Sequence, residues 1–318
     1  MALMDACMGG RVDDVKMLLL GGAEVDEEFE TDVGRNTPLL IACWRGHVAV
    51  IELLLDHGAD KSRRSDESGF TPLIYASSWN HLAVAKLLLD RGAEIDAPDV
   101  WGHTPLMSAS VNGHLALVEF LLDRGADPEV RDKYGSTTLI HVARSEMYRR
   151  ESEMHPAVAK LMLNRGAEIN AVDKDGFTAL IHASILGHLE LVEVLLDRGA
   201  DIGEKSDYGQ TALLAAVRGL HDAGHAAVVK ILIERGVFVS DMLDCENEEI
   251  MDLLDNHKRI RARYLLKRWR IRLIARNFWL YWYFRAVDRV YAPGMPGHEE
   301  TMAALEEIDM GYHDRDEN

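Results

Sequence analysis

One tripeptide pattern recurs along this chain in the same company: Thr37-Pro38-Leu39, Thr71-Pro72-Leu73, Thr104-Pro105-Leu106, Thr137-Thr138-Leu139, Thr178-Ala179-Leu180 and Thr211-Ala212-Leu213. The spacings are 34, 33, 33, 41 and 33 residues. In most copies Gly-His or a relic of it lies nine residues beyond the threonine, as at Gly46-His47, Asn80-His81, Gly113-His114 and Gly187-His188. A leucine-rich stretch then closes on Gly-Ala, as at Gly58, Gly92, Gly125, Gly166 and Gly199. A unit this short cannot bury its own leucines, so the copies must stack and cover one another. The 318 residues therefore read as a one-dimensional array plus whatever follows it.

Each recurring position has a physical reason. The threonine hydroxyl caps free N–H groups at a helix start, and proline after it is pre-set for the first turn. Gly-His turns the chain between two antiparallel helices, and Gly-Ala ends the second helix on a residue that tolerates left-handed dihedrals. Between units, Asp99, Asp132, Asp173 and Ser206 open β-turns that Gly102, Gly135, Gly176 and Gly209 close. In length, order and signature the unit resembles the ankyrin repeat over residues 1 to about 257. The resemblance implies an all-α solenoid of stacked helix pairs with β-turn tips, about seven repeats and a shortened eighth at Ile250 and Leu253-Leu254. Met1-Ala2-Leu3-Met4 matches Thr-Ala-Leu, so the first repeat begins at once. Either chain has been removed ahead of it or a partner covers that end.

Two repeats carry insertions, eight residues around Met147 to His155 and about four around Leu220 to Gly224. Such insertions fall in loops and either mark contacts or are neutral. The histidine usual after Thr-Pro-Leu is replaced by Leu40, Ile74, Met107, Ile140, Ile181 and Leu214, which exchanges a hydrogen bond for packing.

Chemistry beyond packing is sparse. No GxGxxG, GxxxxGK[ST], HExxH or GxSxG is present, so no catalytic or cofactor-binding residues are assigned and no enzyme is predicted. Cys7, Cys43 and Cys245 are an odd number without CxxC spacing, which reads as reduced thiols in a cytoplasmic protein. No basic-then-apolar leader and no run of eighteen apolar residues occur, so neither secretion nor spanning is predicted. His141 and His182 hold equivalent positions in adjacent repeats, about 10 Å apart by helix-packing distances. That separation is too wide for one zinc ion, so no metal site is assigned. His47, His81, His114, His188 and His225 belong to the repeat's own turn and read as structural.

Ankyrin proteins are similar to one another in binding through a concave face of tips and first helices. On that template Trp101, Tyr134 and Tyr208 fall at tips, with Asp175 interrupting the row and Phe70 and Phe177 flanking it. First-helix positions add Trp44, Arg45, Tyr75, Trp79, Asn112, Arg144 and Arg218. Aromatics and arginines dominate binding hot spots, so the expected partner is another protein and the expected function a noncatalytic scaffold or adaptor. Packing of tip aromatics on neighbouring turns is the alternative, and the favoured one for Phe70 and Phe177.

The net charge of −18 is unevenly spread. Residues 257 to 290 hold eleven Lys and Arg against Asp288, a net +10, and the rest carries −28. An acidic body excludes broad nucleic-acid binding. Residues 258–291 read as a long basic amphipathic helix capping the array, and 292–318 as an acidic tail with room for a short helix at Met302, Ala303, Leu305 and Ile308. At 100° per residue the helix shows two apolar stripes. One contains Ile260, Tyr264, Ile271, Ile274, Phe278 and Trp282 and suits a cap; the opposite one contains Leu266, Trp269, Leu273, Leu280, Phe284 and Val287. That second stripe needs cover from a partner protein, the tail or a membrane interface, so a membrane-associated or structural-assembly component is the alternative function. Oligomeric state is not legible.

Overall fold

The computed structural model describes residues 2–31, 34–66, 68–145, 154–218 and 223–235. The chain divides into two units, Met1–Glu246 and Asn247–Asn318, and the described residues all belong to the first. The predicted eighth repeat, basic helix and tail lie outside the described residues.

The first unit is an array of helix pairs. They are α1 (Ala2–Met8) with α2 (Val12–Leu20), α3 (Pro38–Arg45) with α4 (Val48–Asp56), and α5 (Pro72–Ser78) with α6 (Leu82–Asp90). Next come α7 (Pro105–Val111) with α8 (Leu115–Asp123), α9 (Thr138–Ala143) with α10 (Met154–Asn164), α11 (Ala179–Leu186) with α12 (Leu189–Asp197), and α13 (Ala212–Arg218) with α14 (Ala223–Glu234). First helices pack on first helices along the whole stack, and second helices on second helices in α2–α4, α4–α6, α8–α10, α10–α12 and α12–α14. The tips are not all turns: β1 (Phe29–Thr31) and β2 (Gly34–Asn36) form a small antiparallel hairpin, and Val172 bridges Thr178. The architecture is a solenoid, mostly helical, with short antiparallel pairing at tips.

The threonines cap as their position predicts. Thr37, Thr71, Thr104, Thr178 and Thr211 each accept, through Oγ1, the N–H three residues on, at 3.2–3.4 Å. Thr137 departs from the pattern: its Oγ1 is buried without a partner, at the head of the six-residue helix α9. Here Thr138 stands in proline's place, and its free N–H is taken by the Pro128 carbonyl at 3.4 Å. The leucines of the tripeptides are buried throughout, as are Leu40, Ile74, Met107, Ile140 and Ile181 in the position the family gives to histidine. Second helices bury residues at i, i+1 and i+4, as in Val50, Ile51 and Leu54, or Leu117, Val118 and Leu121. Each such side chain contributes about 1.5–3 kcal/mol on leaving water, which no isolated pair could realise.

The turn histidines do more than turn. His47 Nε2 donates to the Met8 carbonyl, His81 to Trp44, His114 to Ser78, His188 to Ser145 and His225 to Ile185, at 2.8–3.2 Å. Every acceptor lies at the C-terminal end of the preceding repeat's first helix. His155 makes the same bond to Val111 at 2.7 Å, so it belongs to the turn and not to the insertion in which the sequence placed it. Residues 146–153, between α9 and α10, lie outside the described residues, as do 219–222 between α13 and α14.

Burial holds the His114 imidazole below its ordinary range, with His155 and His81 adding repulsion, although its bond to Ser78 pulls the other way. The unfolded chain therefore binds a proton at this site, near pH 6.5, before the folded chain does. The resulting stability is present above that pH and lost as pH falls below it. His182, also lowered by burial, acts in the same sense. Acidification from about pH 7.5 to 5.5 should lower the urea midpoint, and His114→Gln should lose measurably less over that interval, because the difference in proton uptake is gone. Identical losses would assign the pH dependence elsewhere.

Candidate functional site

The tips are built alike. Asp99 Oδ1 accepts from the N–H groups of Trp101 and His103, both at 2.8 Å, and Asp132 Oδ1 accepts from those of Tyr134 and Ser136, both at 2.8 Å. Asp173 does the same for Asp175 and Phe177. Each tip is then tied to the one before it through the backbone. Val100 N–H donates to Ser68 O, Lys133 to Trp101 O, Lys174 to Tyr134 O, and Asp207 to Asp175 O, at 2.8–3.1 Å. The result is a continuous ladder that fixes the spacing of whatever the tips carry.

What they carry is aromatic. Trp101 is 40% exposed, Tyr134 58% and Tyr208 74%, and Trp79 on the C-cap of α5 is 56% exposed. Trp101 leans on Phe70 (ring centroids 6.5 Å) and stacks on His103 at 6.2 Å. Tyr208 lies 6.1 Å from Phe177 and donates its hydroxyl to Asp175 Oδ1 at 3.1 Å, so the acid that interrupts the row is tied to it. Phe70 and Phe177 are half-buried supports. On the helices, Trp44 meets Trp79 edge-on at 6.3 Å, and the Arg45 guanidinium lies 4.2 Å over the Trp44 ring. Asn112 is half-buried and bonded to the Ser108 carbonyl, while Arg144 and Arg218 are exposed. Tyr75 is placed otherwise: it is buried, packs against Phe70 at 5.4 Å and donates to Asn36 Oδ1 at 3.2 Å. The second docking stripe, Leu266, Trp269, Leu273, Leu280 and Phe284, lies outside the described residues.

Sequence reasoning passed over two arrangements. Along the second helices, the arginine that precedes the closing glycine reaches an aspartate of the preceding repeat: Arg91 to Asp56 (2.9 Å), Arg124 to Asp90 (2.9 Å), Arg165 to Asp123 (2.7 Å) and Arg235 to Asp197 (2.6 Å). These exposed pairs contribute little each, and the recurrence of Asp and Arg was their signal. Beside the tips, His103, Asp132 and His141 bring three ligand-type atoms within 4.8 Å of one another, where only His141 with His182 had been weighed. Burial alone would raise the Asp132 carboxyl, but hydrogen bonds from His141 and from the Ser136 and Tyr134 N–H groups outweigh it and hold the group below the usual carboxylate range. Cys7 and Cys43 are buried free thiols; burial pushes Cys7 up to about 12 and Cys43 higher still, which makes both inert as nucleophiles.

A stack of helix pairs whose tips hold side chains at fixed intervals defines an interaction module. Ankyrin repeats (3 copies) is the family model matching residues 3–99 and 147–242, and Ankyrin repeat the one matching 101–133. The chain belongs to the ankyrin-repeat family. The crystal structure of the human ASB11 ankyrin repeat domain is similar to 75% of this chain and 99% of its own, at 26% identity and a TM-score of 0.61. The ankyrin repeat domain of Bcl-3, described as a unique member of the IkappaB protein family, is similar to 73% of this chain and 97% of its own, at 29% identity and a TM-score of 0.58. No curated protein matches the chain by sequence. Among the described residues, no helix is long and apolar enough to cross a membrane.

Proposed function

We propose that this protein is a noncatalytic scaffold or adaptor that binds another protein through the tip-and-first-helix face. The observation that carries the reading is the row of exposed aromatics at Trp101, Tyr134 and Tyr208 on a hydrogen-bonded ladder. Large rigid rings already held in place lose little entropy on binding, and exposed rings of this kind are where hot-spot energy concentrates. Trp44, Arg45, Trp79, Asn112, Arg144 and Arg218 extend the surface along the first helices. Tyr75 supports it from beneath. The stripe at Leu266, Trp269, Leu273, Leu280 and Phe284 is a second docking surface in this reading.

Replacing Trp101, Tyr134 and Tyr208 together by alanine should weaken partner binding by about 2 kcal/mol or more, the hot-spot scale, with little change in melting temperature. The comparison is between proteins retained by the wild-type chain and by the triple variant, with affinities then measured for those that differ. A triple variant that melts early yet retains the same proteins would make these rings packing residues.

A further inference from the structure

We propose that His103, Asp132 and His141 form a zinc site that clamps the fourth repeat to the fifth. Asp132 Oδ2 lies 3.0 Å from His141 Nε2 and 3.7 Å from His103 Nε2, and all three atoms fall within 4.8 Å of one another. Ligand atoms at zinc–nitrogen and zinc–oxygen distances near 2.0–2.2 Å sit about 3.3 Å apart in a tetrahedron. The two oxygen–nitrogen separations bracket that value, and the imidazole rings, 4.9 Å apart and nearly perpendicular at 85°, need only small rotations to meet it.

The surroundings hold these groups as zinc ligands are held. Asp132 is fully buried, and its other oxygen is locked by the N–H groups of Tyr134 and Ser136, leaving Oδ2 toward the imidazoles. Asp99 Oδ2 is buried without a well-aligned hydrogen bond and lies 3.2 Å from His103 Nδ1. A proton on Nδ1, facing that carboxylate, frees the Nε2 lone pair for the metal, the usual outer partner of a histidine ligand. His141 binds as its Nδ1–H tautomer, so that its Nε2 lone pair meets zinc in place of the hydrogen bond to Asp132. Asp99 and Asp132 together neutralise the ion and offset the nearby Arg144, whose Nη1 is engaged by Ser136 Oγ at 3.2 Å. His103, half-exposed under the Trp101 ring, opens the fourth position to water.

Among the described residues the set occurs once, for a definite reason. One repeat on, His182 reaches Asp173 at 2.9 Å in the same way, but Ser136 occupies the place corresponding to His103 and no second imidazole is supplied. Two imidazoles and one carboxylate suit a borderline ion such as zinc and not the all-oxygen preference of magnesium or calcium. Because its ligands come from two repeats, zinc binds only the stacked state and stabilises it.

The test uses the full chain freed of metal, titrated with zinc by calorimetry and melted with and without it, beside magnesium and calcium. Zinc should raise the melting temperature by several degrees. His103→Gln and His141→Gln should each lose one zinc equivalent and the melting shift, Asp99→Asn should weaken uptake about tenfold or more, and His182→Gln should bind as wild type. Circular dichroism checks each fold; if His141→Gln is unfolded, half-exposed His103→Gln decides. Absence of zinc uptake by the wild type, unchanged uptake by the His103 variant, or an equal response to magnesium or calcium overturns the assignment. None of these outcomes depends on the protein-binding reading.

Discussion

A chain ended after Arg131 should stay soluble and unfold cooperatively, whereas one ended after Leu117 should aggregate. Both cuts leave the first three helix pairs whole. The second falls inside α8 and removes Val118 and Leu121, which are fully buried. It also uncovers Leu106 and Met107 on α7, for which α8 is the partner within the pair. Two large apolar side chains at about 1.5–3 kcal/mol each are a large share of the 5–15 kcal/mol that holds a domain folded. The cut at Arg131 removes only units that stack on the ones retained, and a stack tolerates loss of whole units. Light scattering and urea melts of the two chains decide the matter; equal stability would mean that the repeat register drawn here is wrong.

Two glycines with nearly the same backbone angle should respond very differently to alanine. Gly102 has φ +93° and Gly125 φ +90°, so a side chain at either pays the left-handed penalty of about 1–2 kcal/mol. A Cβ at Gly125 meets nothing within 4 Å. One at Gly102 comes within 2.9 Å of Asp132 Cα and 3.0 Å of Lys133 N, backbone that cannot swing aside. Gly102→Ala should therefore destabilise by about 2–4 kcal/mol, strain included, and Gly125→Ala by about half as much. Lys133 N–H is also the rung to Trp101 O, so Gly102→Ala should shift the tryptophan emission while Gly125→Ala leaves it unchanged. Equal costs would show that the tips yield freely.

The array was legible because its chemistry is local and repeated. A hydroxyl before Pro-Leu, a glycine before histidine and a leucine run each act within one turn of chain, and each recurs often enough to be set in register. Contacts between non-equivalent positions were harder to read. His103 precedes one threonine, whereas His141 follows the next, so aligning like with like pairs His141 with His182 and misses the neighbour it meets across Asp132. The limits of the insertion failed for a related reason. His155 has no glycine before it; its bond to Val111 identifies it as the turn histidine, and its distance of eleven residues from Gly166, equal to that of His114 from Gly125, was the signal. Tyr75 shows the converse: its place in the first helix suggests exposure, but the Asn36 carboxamide offers its hydroxyl a buried partner.

The turn histidines give the stack a direction in time. Each of His47, His81, His114, His155, His188 and His225 donates to a carbonyl of the repeat before it in sequence. On the ribosome, where chain emerges at about 5–20 residues per second, every new repeat thus finds its acceptor already synthesised. None of these six bonds waits for residues still to be made. Assembly can keep pace with translation, one unit every few seconds, and exposed leucines face solvent only at the growing end.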